Sequence, residues 1–481
     1  MIIKIVVLMA FALMNIVVGV IGLRKTKSFS DYFLGGGKIG PLMTAFTYGA
    51  AYFSAVLFIG FAGKIGWEFG LSSLWIAAGN SLVGVLAVWW LMGERIKKMS
   101  IEYGVSTLPE YLEKRYDCHL FKLYASIMIF IFFIPYSAAV FIGLSYLFQA
   151  NFNIQYGVAL LFMGGFTGFY LVLGGYRSMT IIDVLFGMIM AIGAMALLAS
   201  VIGKAGGIAP LAADLAAIDR KLTGVVGPPG LWPLFSLVFL TSVAPFAMPQ
   251  LVQKFYAIRD RKAIRTGMIA STAFSILITG TAYFVGAAAR CFLSAENAPA
   301  AFRDGRPIFD ALMPTLLANV VPPSLAILML LLILSASMST LAALVLISSS
   351  SLAKDVYSGF INRRVSDRGL TLLMRVSAVF FVCLSVILAY SRPASIVAIL
   401  GISWGAIGST FLGPFFWGLT SKKVNKIGAI SSSLGGLATC IVLYFAGQPS
   451  PQAGTVGMLV SLAANPLISA AFDGRTSGKS V

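Results

Sequence analysis

Long apolar windows recur along this chain, separated by short polar stretches, and nothing else limits its possible folds as strongly. Thirteen windows can be drawn, at about 2–22, 41–62, 70–93, 120–148, 156–174, 180–202, 231–250, 266–289, 323–352, 371–390, 394–419, 427–446 and 455–471. A helix needs about 20 predominantly apolar residues to cross the hydrocarbon of a bilayer. It also satisfies its own backbone hydrogen bonds, which lipid cannot do for it. With 59% hydrophobic residues, 11% charged residues and a mean hydropathy of +0.92, the chain carries more apolar surface than a water-soluble core can hide. These features predict an all-α integral membrane protein with about 13 transmembrane helices in a lipid bilayer.

The formal charge of +18 would suggest a nucleic-acid partner in a soluble domain. Here the basic residues fall in short loops between windows, so no nucleic acid is implied, nor any obligate protein partner. Assigned by window order, 26 of the 35 Lys and Arg residues lie on one side and 9 on the other. The positive-inside bias then puts the N-terminus outside and the C-terminus in the cytoplasm, which requires an odd number of spans. Cys118, Cys291, Cys383 and Cys440 are scattered, forming neither a disulfide framework nor a metal pattern. His119 is the single histidine, which argues against a histidine metal site or proton relay. The first window lacks a small-residue cleavage site, and its positive cluster follows the apolar stretch; it reads as a retained span.

Two windows carry unusual polarity. "LSASMSTLAAL" (334–344) places Ala336, Ser339 and Thr340 at i, i+3 and i+4, on one helical face. A hydroxyl on a membrane helix commonly bonds back to its own backbone or across to a neighbour. A hard cation needs several oxygens, and unwound backbone inside a bundle can supply them. The window at 41–62, with Gly49, Ala50, Ala51 and Ser54 at its middle, is the candidate for such a break. Close helix packing explains the same small residues equally well. Composition and spacing stop at a transporter or a channel.

Four pieces in order resemble the sodium/solute symporters, a family that includes bacterial proline, pantothenate, sugar and sialic acid carriers. They are "DYFLGGGKIGP" (31–41), "STLPEYLEKRY" (106–116), "LGGYRSMTIIDV" (173–184) and "SASMSTLAALVLISSSSLAKDVY" (335–357). The resemblance implies a leucine-transporter-type fold of two inverted five-helix repeats with flanking helices. It divides the chain into an extra N-terminal helix and loop (1–39), a first repeat (40–202), a second repeat (203–420), and C-terminal helices with a short cytoplasmic tail (421–481). Pro245 and Pro249 are expected to break the window that opens the second repeat. The family pattern also implies a sodium ion held by backbone carbonyls of Ala50, Phe53 and Ala336 and hydroxyls of Ser339 and Thr340. Asp183, an acid within a span, is expected to serve sodium release to the cytoplasm, or else to pair with Arg177 or a loop lysine.

The chain departs from the pattern at three positions. Tyr52 stands where some members have an aspartate. Ala342 and Ala343 stand where some have serines for a second sodium, so one sodium per cycle is expected. For the solute, the resemblance points to Tyr52, Ser54, Asn80, Tyr136, Ser137, Thr241 and Trp404, with Trp75 the most peripheral candidate. No arginine neighbours Tyr136, where a sialic acid carrier would hold a carboxylate. A small, mostly apolar solute with an anionic or zwitterionic end therefore fits best: proline-like amino acids, short monocarboxylates or pantothenate. The expected function is sodium-coupled import by alternating access at the cell membrane. The rivals are a proton-coupled carrier of the same fold and a transport-like sensor. An enzyme is not expected, since no nucleophile–base pair is visible.

Overall fold

The computed structural model describes residues 2–25, 29–35 and 39–472, almost all of them helical. Lys27, Lys38, Arg475 and Lys479, counted above toward orientation, lie outside the described residues, as does the centre of the "GGGK" turn. Eleven helices among the described residues are long and apolar enough to cross a membrane. The count differs from thirteen at two places. The window at 41–62 is interrupted: helix Pro41–Tyr52 stops at Phe53, and helical structure resumes at Val56. From there it counts as one run to Glu102, which absorbs the window at 70–93 with only a turn at Gly70 between them. The window at 156–174 lies within one helix running from Tyr156 to Lys204, whose part from Ser178 onward is counted as a span.

That long helix bends at Gly175, whose φ of 61° and ψ of −173° few L side chains can adopt. A Cβ there would also press on the Tyr32 ring at 2.6 Å. The double glycine thus makes the corner after which Asp183 follows two turns later.

Both expected breaks are present. In the second, helix Leu231–Val243 gives way to a 3₁₀ turn (Ala244–Phe246) and then to helix Pro249–Ala257. Pro249 begins the new helix, where a missing N–H costs nothing. The first break has no proline. Phe53 is extended (φ −107°, ψ 110°) and its N–H makes the last bond of the preceding helix, to the Gly49 carbonyl. Beyond it, the Val56 N–H donates to the Ser54 hydroxyl at 3.2 Å and the Leu57 N–H to the Ser54 carbonyl at 3.0 Å. Ser54 thereby restarts the helix, with Val56–Gly66 in π geometry, a form frequent at functional sites.

Small residues let backbones touch. A methyl group on Gly286 would collide with the Ala62 carbonyl, so the second half of the first broken span lies directly against helix Arg261–Phe292. The segments leading into helices Leu231–Val243 and Ala326–Ser350 each carry a short helix, Ile208–Ile218 and Phe309–Asn319. From the second, the Asp310 carboxylate accepts the Ile396 N–H at 3.1 Å and fastens the loop to the start of helix Ile396–Thr420. Burial pushes the Asp310 carboxyl up to about 6, against the lowering effects of that hydrogen bond and of Lys64.

The start of the first broken span and the end of the second are joined by main chain. Ile39 N–H donates to the Ala257 carbonyl and Arg259 N–H to the Ile39 carbonyl, both at 3.1 Å. The Gln253 side chain adds a bond to the Phe33 carbonyl at 3.0 Å.

Candidate functional site

The serine-threonine helix, Ala326–Ser350, is buried along its length from Leu332, as a helix at the centre of a bundle must be. It lies against the first break. The Thr340 hydroxyl stands 3.4 Å from the carbonyl oxygens of Ala50 and Ala51 and 3.1 Å from that of Ala336. One hydroxyl hydrogen therefore faces three carbonyl oxygens. Such a proton-poor oxygen cluster suits a hard cation. Metal–oxygen bonds of about 2.4 Å in octahedral geometry separate neighbouring oxygens by about 3.4 Å, close to the spacing seen. Ser339 is fully buried and its hydroxyl has no hydrogen-bond partner.

Of the five expected sodium ligands, the structure brings Ala50, Ala336 and Thr340 together, with Ser339 one residue before Thr340 on the same helix. Phe53 is buried beside the break with its carbonyl released from helical bonding, but it makes no described contact with Thr340. Ala51 joins the cluster instead. Sequence reasoning missed it, because a carbonyl has no residue signature. Ser337, by contrast, spends its hydroxyl on the Ile333 carbonyl.

Asp183 is fully buried, and neither carboxylate oxygen has a hydrogen-bond partner among the described residues. The Ser339 hydroxyl lies beside it without normal hydrogen-bond geometry, so the carboxylate adjoins the oxygen cluster. Lys254 acts on it electrostatically from the second broken span, its ammonium 5.0 Å above the Tyr176 ring. The sequence reading counted Lys254 among inner-loop cations. In the structure it is 1% exposed within helix Pro249–Ala257, because the span does not end at 250 but restarts there. The Arg177 side chain, the other proposed partner, lies outside the described residues.

Next to the break lies an aromatic group without charged side chains. The Tyr52 ring stacks on Trp404 at 5.9 Å and 19°, and Trp404 meets Tyr136 edge-on at 5.8 Å. The Tyr52 hydroxyl donates to the Thr241 carbonyl, linking the two broken spans, while the Thr241 hydroxyl serves its own helix at Leu237. Two buried groups make no hydrogen bond of normal geometry, the Ser137 hydroxyl and the Trp404 indole N–H, which lies beside Tyr136. The remaining solute candidates are otherwise engaged. Ser54 holds the Val56 N–H, and Asn80 accepts from the Ser242 hydroxyl at 3.2 Å. Trp75 is 55% exposed and bonded to the Val225 carbonyl, away from the group.

On the side that carries residues 106–122 and 354–363, polar side chains tie neighbouring helices together. Helix Leu108–Tyr116 opens with a capping box in which Thr107 and Glu110 satisfy each other's backbone N–H groups. Glu110 also pairs with Lys354 at 2.8 Å, and Thr107 donates to Asp355 at 2.8 Å. Burial by itself would raise the Glu110 carboxyl; the Lys354 charge and hydrogen bond outweigh it and hold the group below its ordinary range.

Known proteins agree with this architecture. A family model described as "Sodium:solute symporter family" matches residues 32–436. Among curated relatives, a sodium/pantothenate symporter of Escherichia coli is 28% identical, over 92% of this chain and 91% of its own. A high-affinity proline transporter of Bacillus subtilis is 27% identical, over 90% of each chain. The structure superposes on a substrate-bound, outward-open sodium-coupled sialic acid symporter with a TM-score of 0.82 at 18% identity, covering 100% of this chain and 99% of the other. It also matches Mhp1, a nucleobase-cation-symport transporter, with a TM-score of 0.54 at 14% identity over 92% and 94% of the two chains. These likenesses establish the leucine-transporter-type fold expected from sequence. With the family model spanning most of its length, this chain belongs to the sodium:solute symporter family.

Proposed function

We propose that the protein imports a small organic acid or amino acid of the proline or pantothenate kind together with one sodium ion, by alternating access. The observation that carries this reading is the meeting of the Thr340 hydroxyl with the broken-span carbonyls of Ala50 and Ala51 and the helix carbonyl of Ala336 at 3.1–3.4 Å. Sodium bound there ties the first broken span to the serine-threonine helix and favours the solute-ready state. The Phe53 carbonyl and the Ser339 hydroxyl complete the cage, and Asp183 receives the ion on release.

The solute lies against Tyr52, Tyr136 and Trp404. Its apolar body covers the rings, and its carboxylate takes the indole N–H and the Ser137 hydroxyl. Residues 40–202 and 203–420 form the two inverted repeats, with the N-terminus outside. Each sodium entering down a potential of 100 mV contributes about 2.3 kcal/mol, enough to concentrate a neutral solute about 50-fold.

Purified protein in liposomes tests the reading, with labelled proline and labelled pantothenate as probes. Uptake of one of them driven by an inward sodium gradient supports it. Uptake driven by a pH gradient in sodium-free choline buffer replaces it with the proton-coupled carrier, Asp183 then being the titrating group.

A further inference from the structure

The cluster "SSSSLAKDVY" (348–357) is left unused by the mid-depth cage. Ser348, Ser351 and Asp355 follow one another at spacings of three and four residues, so they share a face of the helix that carries Ser339 and Thr340. All three are buried, and the Ser348 hydroxyl has no partner. Asp355 lies sixteen residues beyond Ser339, roughly 20 Å further toward the inner end.

A small cavity opens at this end, lined by Ser351 and Asp355 on one wall and by Gln253 and Tyr256 of the second broken span on the other. Three atoms around it lack hydrogen-bond partners: Asp355 Oδ2, Gln253 Oε1 and the Tyr256 hydroxyl. The first two can only accept. The other Asp355 oxygen takes one hydrogen bond, from Thr107. No ammonium lies within ion-pair distance of Asp355 among the described residues: Lys354 and Lys122 act on it only from further off, held by Glu110 and Glu113. A fully buried carboxylate calls for a positive charge, and the polar atoms left unpaired here are all oxygens, which select a hard one.

We propose that Asp355, Gln253 and Ser351 form a second, weaker alkali-cation site, which the sodium ion occupies between leaving the mid-depth cage and entering the cytoplasm. The inference rests on the sodium-coupled reading above, and it needs no second ion per cycle, since one ion visits the two sites in turn. Ser348 lies between them, and the Glu110–Lys354 pair closes the site from below. Gln253 couples it to the inner closure, because its amide N–H₂ holds the Phe33 carbonyl while its oxygen faces the cavity.

The test uses the full chain in lipid nanodiscs and radioactive sodium alone as probe, with choline holding ionic strength constant. Wild-type protein is expected to bind sodium in two saturable phases. Asp355→Asn keeps an oxygen for Thr107 but removes the charge, so it weakens the lower-affinity phase at least about tenfold and moves the tighter phase less than about twofold. Gln253→Leu weakens the same phase and keeps the test decisive if the Asp355 variant does not yield monodisperse protein. A binding curve unchanged in both variants overturns the site, as does equal weakening of both phases. Ser339→Ala separates the two readings: it is expected to weaken the tight phase alone. If Ser339→Ala changes nothing while Asp355→Asn removes the weak phase, the mid-depth cage fails and the inner site stands.

Discussion

Replacing Thr340 by alanine isolates the one side-chain oxygen that meets both broken-span carbonyls. The substitution keeps the helix, since alanine is the best helix former, and removes a single hydroxyl from a buried position. A hydrogen-bond-sized interaction with a full charge contributes about 1.5–3 kcal/mol. Taking about 2 kcal/mol, the sodium dissociation constant rises about 30-fold. At a concentration about 100 times the wild-type constant, sodium stabilises the folded protein by about 2.7 kcal/mol, and the variant retains about 0.9 kcal/mol of that. The assay is the melting temperature of detergent-purified protein across a sodium series balanced with choline. Wild-type protein should show a steep rise with sodium and Thr340→Ala a shallow one displaced to higher concentration. Thr340→Ser keeps the oxygen and should fall near wild type. A Thr340→Ala series that overlays the wild type refutes the cage, as does a serine variant as impaired as alanine.

Trp404→Phe keeps the stacking on Tyr52 and removes the indole N–H; the KM for solute should rise about 3- to 30-fold while sodium dependence stays within about twofold, as read by uptake in liposomes. Gly286→Ala places a methyl against the Ala62 carbonyl, so overpacking of about 1–3 kcal/mol should lower the melting temperature by several degrees; an unchanged melting curve contradicts the backbone contact. Asp310 has its carboxyl raised by burial, so the folded state favours its protonated form: this contribution is present below 3.8 and is lost as pH rises through about 6. The melting temperature of Asp310→Asn relative to wild type should therefore increase between pH 4 and pH 7, and a flat difference argues against the assignment.

The spans were legible because hydrocarbon imposes length and apolarity on every crossing, leaving a periodic mark that needs no knowledge of tertiary contacts. The second break was legible for a local reason too: Pro245 and Pro249 cannot sustain helical bonding. The first was only suggested, since Gly49, Ala50 and Ala51 suit close packing as well as a break, and Ser54, which restarts the helix, looks like any membrane serine. Ser339 and Thr340 could be read from spacing, but Ala51 could not, because its contribution is main chain. Lys254 was misplaced by a boundary error of a few residues, enough to turn a buried cation near Asp183 into a loop cation. The convergence of Tyr52, Tyr136 and Trp404 depends on how three distant segments pack, which no local pattern encodes.

The bridge between Ile39 and Ile258 has a consequence for how the inner door is built. Its two hydrogen bonds join peptide groups, so its chemistry is indifferent to which side chains occupy those positions. Most single substitutions at these positions leave both hydrogen bonds intact, so a side-chain scan would pass over the latch. Only proline, which removes a donor, interferes directly. Parting the two segments there would expose two donors and two acceptors at once. Water has to reach that point as the door parts, and solvent is thereby drawn in ahead of any departing cargo.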